Sequence, residues 1–169
     1  MLYVFGGLPS SGKSVLSRYL AEQIGAMHIR IDSIEQLLRV HAGINPVGVA
    51  GYVSAYAIAK NNLDLGHTVI ADSVNPIQVT REAWKAVADE AGTDICEIEV
   101  ICSDVVEHKA RYIERISDID GLEYGPWEDV LNREYEDWIS RDLLIDTASK
   151  SIGESQSELL SKVEGFTPG

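Results

Sequence analysis

The sequence predicts an α/β fold, in which helices cover a parallel β-sheet. Short apolar runs alternate along the chain with amphipathic segments, as they do in strand–helix–strand units. The chain has 169 residues, of which 45% are hydrophobic and 24% are charged, so its composition is that of a globular protein with a substantial core. These values favour a single domain over residues 1–169.

The predicted strands are short apolar runs bounded by glycine or polar residues. They cover residues 2–6, 26–31, 67–74, 94–102 and 142–147. The first ends at glycine, as a buried strand does before a turn, and the fourth alternates apolar and polar residues. Because helices separate them, we expect parallel strands whose carboxyl ends form a ligand-binding edge.

The predicted helices have apolar residues at helical spacing, or proline and glycine at their ends. They cover residues 13–24, 46–64, 76–91, 104–116, 127–139 and 153–163, and a further helix starts at Asp32. Pro46 and Pro76 suit the first position of a helix, and Gly92 suits the end of one. Residues 117–126 form the most loop-like internal stretch.

A glycine-rich loop follows the first strand and matches the pattern G-x-x-x-x-G-K-[ST] in full. The predicted nucleotide-binding residues are Gly7, Leu8, Pro9, Ser10, Ser11, Gly12, Lys13, Ser14 and Val15. Glycine allows backbone angles that bring N–H groups close to a phosphate, at the positive end of the following helix. Lys13 would then bridge the β- and γ-phosphates, and the Ser14 hydroxyl would bind Mg²⁺.

The loop alone does not separate kinases from GTPases and motor ATPases. The guanine-specifying tetrapeptide N-K-x-D is absent from the sequence, which argues against a GTPase. The third predicted strand ends in the single acid Asp72, where motor ATPases usually carry Asp-Glu. A formal charge of −13 argues against broad affinity for nucleic acid or anionic membranes.

Several passages resemble the small P-loop kinases of the nucleoside-monophosphate-kinase type, above all the kinase domain of polynucleotide 5′-hydroxyl kinases. These passages are the loop, Asp32 after the second strand, residues 69–92 with their Asp, Asn-Pro, Arg and Trp, and the arginine-bearing helix at 104–116. The resemblance implies a three-layer P-loop NTPase fold with a five-stranded parallel sheet in the order 2-3-1-4-5. It also implies a small helical lid around 104–126, and a hydroxyl acceptor for the γ-phosphate of Mg·ATP.

Asp32 and Asp72 are the candidate carboxylates. The resemblance implies that Asp32 is the catalytic base, which takes the proton of the attacking hydroxyl. The alternative is a helix N-cap that forms a capping box with Glu35. Asp72 would hold Mg²⁺ together with Ser14, and its alternative is a strand-end residue that accepts hydrogen bonds from turn amides.

Arg111 and Arg115 are four residues apart and share a helix face. In the family that this sequence resembles, arginines on this helix reach the phosphates and stabilise charge in the transition state. The alternative is that they form ion pairs with Glu107 or Glu114 on an acidic surface.

A small molecule fits the acceptor role better than nucleic acid does. In the polynucleotide kinases an arginine that engages the acceptor phosphate stands three residues after the base, and here that position is Glu35. The same fold serves chloramphenicol, gluconate and other small hydroxyl acceptors. We expect residues 33–65 to form the acceptor wall, with Tyr52 and Tyr56 on one face unless these rings belong to the core.

The sequence therefore predicts an ATP-dependent kinase acting on a small-molecule hydroxyl. A polynucleotide or nucleotide 5′-hydroxyl kinase, and an NTPase or switch without an acceptor, are the alternatives. The oligomeric state is left open. The two cysteines cannot form a disulfide scaffold, and the first residues lead directly into a strand rather than a signal peptide, so we expect a cytoplasmic protein.

Overall fold

The computed structural model describes residues 1–167. Its strands are β1 (Leu2–Gly6), β2 (Met27–Arg30), β3 (Val69–Asp72), β4 (Ile95–Ile101) and β5 (Leu143–Asp146). Its helices are α1 (Lys13–Ile24), α2 (Ile31–His41), α3 (Ala50–Asp64), α4 (Gln78–Glu90), α5 (Val105–Glu114), α6 (Trp127–Leu131) and α7 (Ile152–Glu164). No helix within these residues is long and apolar enough to cross a membrane.

The strands form one parallel sheet in the order β2-β3-β1-β4-β5, so the predicted α/β class and strand order are confirmed. Asp72 at the end of β3 lies between Phe5 of β1 and Arg30 of β2 in the sheet register. This register places the residues that follow β1, β2 and β3 at one edge, which is where parallel sheets bind ligands.

Helices cover both faces of the sheet, and each face has its own apolar cluster. Leu2 and Val4 of β1 pack on the side of α3 and α4, where Trp84 is fully buried. Phe5 packs on the other side, with side chains of α1 and α7. The strands can be apolar on both faces because neither face of the sheet meets water.

Two predicted helices differ from the structure. The helix expected from residue 46 begins at Ala50, and Pro46 lies in the loop before it. The helix expected over 127–139 ends at Leu131. The guanidinium of Arg81 in α4 donates hydrogen bonds to the carbonyls of Glu136 and Asp137. These tertiary contacts fix a non-helical backbone after Leu131, although the apolar residues there have helical spacing.

Candidate active site

The glycine-rich loop leads from β1 into α1 and has the backbone angles that its glycines predict. Gly7 has a φ of +146° and Gly12 a φ of +102°, in the region that side chains disfavour. A side chain at Gly7 would collide with the carbonyl of Val100 in the neighbouring strand. The loop therefore needs glycine for its path and for its close packing against β4.

The first turn of α1 begins at the end of this loop. Gly12 is the N-cap of α1, and no side chain from the described residues caps the helix. The first N–H groups of a helix lack partners within it, so this end can bind a phosphate. Lys13 is the first helical residue, and its side chain is 95% buried beside the loop.

A cleft of about 470 Å³ opens between the loop, α2 and the segment from α5 to α6. Of the residues predicted from the sequence, the cleft is lined by Pro9, Ser10, Gly12, Lys13, Ser14, Val15, Asp32 and Arg115. The other predicted site residues lie outside its lining in the part of the chain that the structure describes; they are Gly7, Leu8, Ser11, Asp72 and Arg111. One cleft thus joins the phosphate loop to a carboxylate and an arginine from distant segments.

Asp32 lies in this cleft and does not cap a helix. Helix α2 begins at Ile31 with Arg30 as its N-cap, and no side-chain capping bond is found among residues 1–167, so the capping interpretation of Asp32 and Glu35 is wrong. Glu35 lines the same cleft one turn later. Burial, and then the charge of Asp32, raise the pKa of the Glu35 carboxyl above its ordinary value.

Asp72 is buried at the end of β3, with 1% of its surface exposed. Neither of its carboxylate oxygens finds a hydrogen-bond partner among the described residues, so the alternative interpretation as an acceptor for turn amides is wrong. The nearest basic side-chain atoms, His28 Nε2 and Arg30 Nε, are both 3.8 Å from Asp72 Oδ2. The carboxylate is thus buried at the end of β3, outside the lining of the cleft, with both oxygens unpartnered among the described residues.

A magnesium ion fits the donors present. Ser14 and Asp72 offer the hydroxyl and carboxylate oxygens that Mg²⁺ prefers, and unpartnered buried oxygens suit a cation. Within residues 1–167 no group of three or more His, Cys, Asp or Glu side chains could hold a metal by itself. Such an ion would therefore depend on nucleotide phosphates for further ligands, as magnesium commonly does.

Arg115 and Arg111 have different environments. Arg115 lines the cleft, donates from Nη1 to Ser10 Oγ over 3.1 Å and stacks on the ring of Tyr124. Arg111 donates to Thr147 Oγ1 over 2.8 Å and pairs with Glu107, the partner that the alternative interpretation named. In this structure only Arg115 of the two faces the loop directly.

A buried polar group lies behind the cleft on the side of α3. The backbone N–H of Asn75 donates to the Tyr52 hydroxyl over 3.1 Å. The side-chain amide of Asn75 is fully buried, and no partner for it occurs in the described part of the chain. Tyr52 and Tyr56 both pack against the core cluster on this side of the sheet, and Tyr56 meets Trp84 edge-on with ring centres 4.6 Å apart.

An ion-pair cluster at the mouth of the cleft had no signal in the sequence. Asp118, between α5 and α6, accepts from Arg18 over 2.6 Å and from Arg30 over 2.8 Å. These two arginines, Arg18 first, lower the pKa of Asp118 to about 2. The partners are about 90 to 100 residues apart, so only folding brings them together.

The charge of the cleft differs from that of the whole chain. Its basic lining residues are Lys13, Arg18, Arg30, Arg115 and Arg133, and its acidic ones are Asp32, Glu35, Asp118, Glu123 and Asp129. Five positive and five negative groups balance there, whereas the chain carries −13. The negative charge of the chain is therefore not concentrated in the cleft.

Solved structures of several kinases share this architecture. A gluconokinase from Sinorhizobium meliloti matches with a TM-score of 0.68 at 19% identity, over 96% of this chain and 91% of that one. An APS kinase from Mycobacterium tuberculosis, solved with AMPPNP and APS, matches with a TM-score of 0.62 at 18% identity, over 96% of both chains. The chain has the fold of the small P-loop kinases.

The same fold extends to a protein whose name is not that of a kinase. Kti12 from Chaetomium thermophilum, solved with ADP-AlF3, matches with a TM-score of 0.68 at 24% identity over the full length of both chains. No protein-family model matches this chain, and no curated protein sequence does. At these identities the small P-loop kinase likeness describes architecture, so the chemistry must be argued from the site itself.

Proposed function

We propose that the protein transfers the γ-phosphate of Mg·ATP to a hydroxyl group of a small molecule. The observation that carries this proposal is the shared cleft, in which Lys13 and Ser14 face Asp32 and Arg115. Phosphoryl transfer requires a phosphate cradle, a group that receives the acceptor proton, and a cation near the transferred group. All three types of group line this one cavity.

On the nucleotide side, the loop N–H groups and Lys13 hold the phosphates. Ser14 and Asp72 would hold Mg²⁺, which when bound offsets negative charge on the β- and γ-phosphates. Arg115 already contacts Ser10 of the loop and is placed to stabilise charge that develops on the transferred group. Arg111 would join it only by exchanging Glu107 for a phosphate.

On the acceptor side, Asp32 takes the proton of the attacking hydroxyl. The hydroxyl oxygen forms a bond to the γ-phosphorus while the bond from that phosphorus to the β–γ bridging oxygen breaks, and ADP leaves. The products are a phosphate monoester and ADP, with the proton first on Asp32. Arg115 and Asp32 line the same cleft, which supports a transfer path between them.

Glu35 restricts the acceptor. Its carboxylate is one turn from Asp32 and in the same cavity, and α3 has a glycine, Gly51, where a side chain would collide with it. A second negative charge beside the base repels an acceptor that carries its own anion at that point. We therefore expect a neutral or cationic acceptor, bound within the segment 33–65.

The proposal is tested by supplying the chain with Mg²⁺ and [γ-³²P]ATP in three arms. One arm contains a pooled library of hydroxyl-bearing metabolites and antibiotics, the second a 5′-hydroxyl oligonucleotide, and the third no acceptor. We expect label in the first arm only, and Asp32→Asn should abolish most of it.

The other outcomes are informative. Label on the oligonucleotide would replace the small-molecule acceptor with a nucleic acid. Phosphate release without transfer in all arms would favour a nucleotide hydrolase. Failure to bind ATP would reject the proposal outright.

A further inference from the structure

One face of α5 contacts the phosphate loop along its length. His108, Arg111 and Tyr112 recur at the spacing of a single helix face, and Arg115 follows the helix as its extended C-cap. His108 reaches Pro9, Arg115 reaches Ser10, and Arg111 reaches Thr147, which in turn contacts Ser11. Helix α5 and its C-cap thus contact Pro9 and Ser10 directly, and they support Ser11 through Thr147.

The His108 contact is the most direct of these. Its Nε2 lies 2.7 Å from the Pro9 carbonyl oxygen, and because a carbonyl can only accept, Nε2 carries the proton and donates. The imidazole is 94% buried and meets Trp127 edge-on, with ring centres 5.1 Å apart. Packing against Trp127 and the bond to Pro9 together fix the orientation of the ring.

The Ser11 carbonyl is held in a similar way. Thr147 Oγ1 is 2.8 Å from it, and Arg111 Nη1 donates to the same hydroxyl. Two carbonyls of the loop therefore have protein partners on the side of α5 and β5. In a trans peptide the N–H points opposite to the C=O, so the N–H groups of Ser10 and Gly12 point away from these partners.

The loop needs such support because its backbone is strained. Ser10 has a φ of +65°, a left-handed conformation that is unfavourable for a residue with a side chain. A residue in this conformation persists when its surroundings hold it there. The bonds of His108 to Pro9 and of Arg115 to Ser10 lie directly beside the strained position.

We propose that His108 is a positioning residue for nucleotide binding. By holding the Pro9 carbonyl towards α5, it keeps the Ser10 N–H turned to the side where phosphate binds. The inference rests on the proposed nucleotide site but assigns a role to a residue outside the motif. His108 lies 99 positions from its partner and outside the lining of the cleft.

Two nearly isosteric variants of the full-length chain isolate the hydrogen bond. His108→Met fills the space without a donor, and His108→Gln supplies an amide N–H at a similar reach. The dissociation constant for Mg·ATP is measured by isothermal titration calorimetry, and the melting temperature of each ligand-free variant is recorded alongside. The same changes at exposed His67 serve as controls.

We expect His108→Met to weaken Mg·ATP binding by roughly threefold to tenfold, the value of one hydrogen bond, while His108→Gln stays within about twofold of the wild type. In transfer assays the loss should appear in the KM for ATP and not in kcat. The His67 variants should match the wild type.

The proposal is overturned if His108→Met binds ATP as the wild type does, even with a lower melting temperature, because the residue would then serve stability alone. It is also overturned if His108→Gln is as weak as His108→Met. A wild-type chain that does not bind ATP would reject the nucleotide site, and this inference with it, so the two failures are distinguishable.

Discussion

The two sides of the cleft are assembled in different ways. The proposed nucleotide side is one continuous stretch, residues 7–14, whose carbonyls accept from His108 of α5 and from Thr147 after β5. The proposed acceptor side combines Asp32 and Glu35 of α2 with Arg133, which follows α6 about 100 residues later. Behind it lies the Asn75 amide, which has no hydrogen-bond partner among the described residues.

This difference reflects the two kinds of ligand that we propose, a phosphate common to many proteins and an acceptor specific to one. A phosphate has the same shape in every nucleoside triphosphate, so one compact loop can bind it in many proteins. An acceptor differs from enzyme to enzyme, and its pocket is built from side chains that a shared fold leaves free to vary. Variants on the two sides should therefore affect different steps.

The largest effect is expected on the acceptor side, for Asp32→Asn. Loss of the base should reduce phosphate transfer by roughly 10²–10⁴-fold while the affinity for ATP barely changes. Transfer is measured with labelled ATP and affinity by calorimetry. Asp64→Asn, in an exposed pair with Lys60, is the matched control. Full activity of Asp32→Asn would remove Asp32 from the mechanism.

On the nucleotide side, Lys13→Ala is expected to change the affinity for ATP as well as the rate. Removing this charge should lower turnover by roughly 10²–10³-fold and also weaken ATP binding, since the proposed role of Lys13 is to contact phosphates in both the ground state and the transition state. Lys60→Ala provides the control. If Lys13→Ala retained its affinity for ATP, Lys13 would not be part of the nucleotide-binding side of the cleft.

A smaller effect is expected where the two sides meet, for Asp118→Asn. The change removes the charge that links the α5–α6 segment to Arg18 and Arg30. Because these pairs are partly exposed, the loss should be at most about 1 kcal/mol, or a few-fold faster amide exchange in residues 117–126. Hydrogen exchange by mass spectrometry measures it. Unchanged exchange there, or equal acceleration in the phosphate loop, would contradict a local link.

The smallest effect is expected for Glu35→Gln, and its sign is favourable. The raised pKa of Glu35 means that folding disfavours its charged form, which lowers the stability of the wild type. This loss of stability is complete above the pKa of Glu35 in the folded state. It disappears as the pH falls below the pKa of Glu35 in the unfolded state. The variant should melt up to about 2 °C higher at neutral pH, with a vanishing difference in acid. Calorimetry at several pH values checks this, and a variant less stable at neutral pH would show that Glu35 supports the fold.

Sequence patterns predicted the parallel sheet, the loop and α1 because each depends on neighbouring residues. The helix predicted over 127–139 from the spacing of apolar residues was wrong beyond Leu131. There Arg81 binds the backbone carbonyls of Glu136 and Asp137. The capping pattern at Asp32 misled for a related reason. The helix begins one residue earlier, as β2 passes directly into α2 at Arg30.

The contacts of three basic residues also depended on the fold. His108 has no motif around it, and its contact with the loop follows from a partner 99 positions away. Arg111 and Arg115 have the spacing of one helix face, but that prediction is wrong, because α5 ends at Glu114 and Arg115 is its extended C-cap. Arg111 therefore contacts Thr147, whereas Arg115 contacts Ser10.

By itself, the sequence determined that this chain forms a parallel α/β sheet with a phosphate loop after its first strand, because hydrophobic periodicity and glycine torsions act over a few residues. Only the tertiary structure decided which charges share the cleft, how α5 holds the loop, and that Asp72 is buried with unpartnered oxygens. Those features arise from contacts between segments far apart in the chain, and no local pattern encodes such contacts.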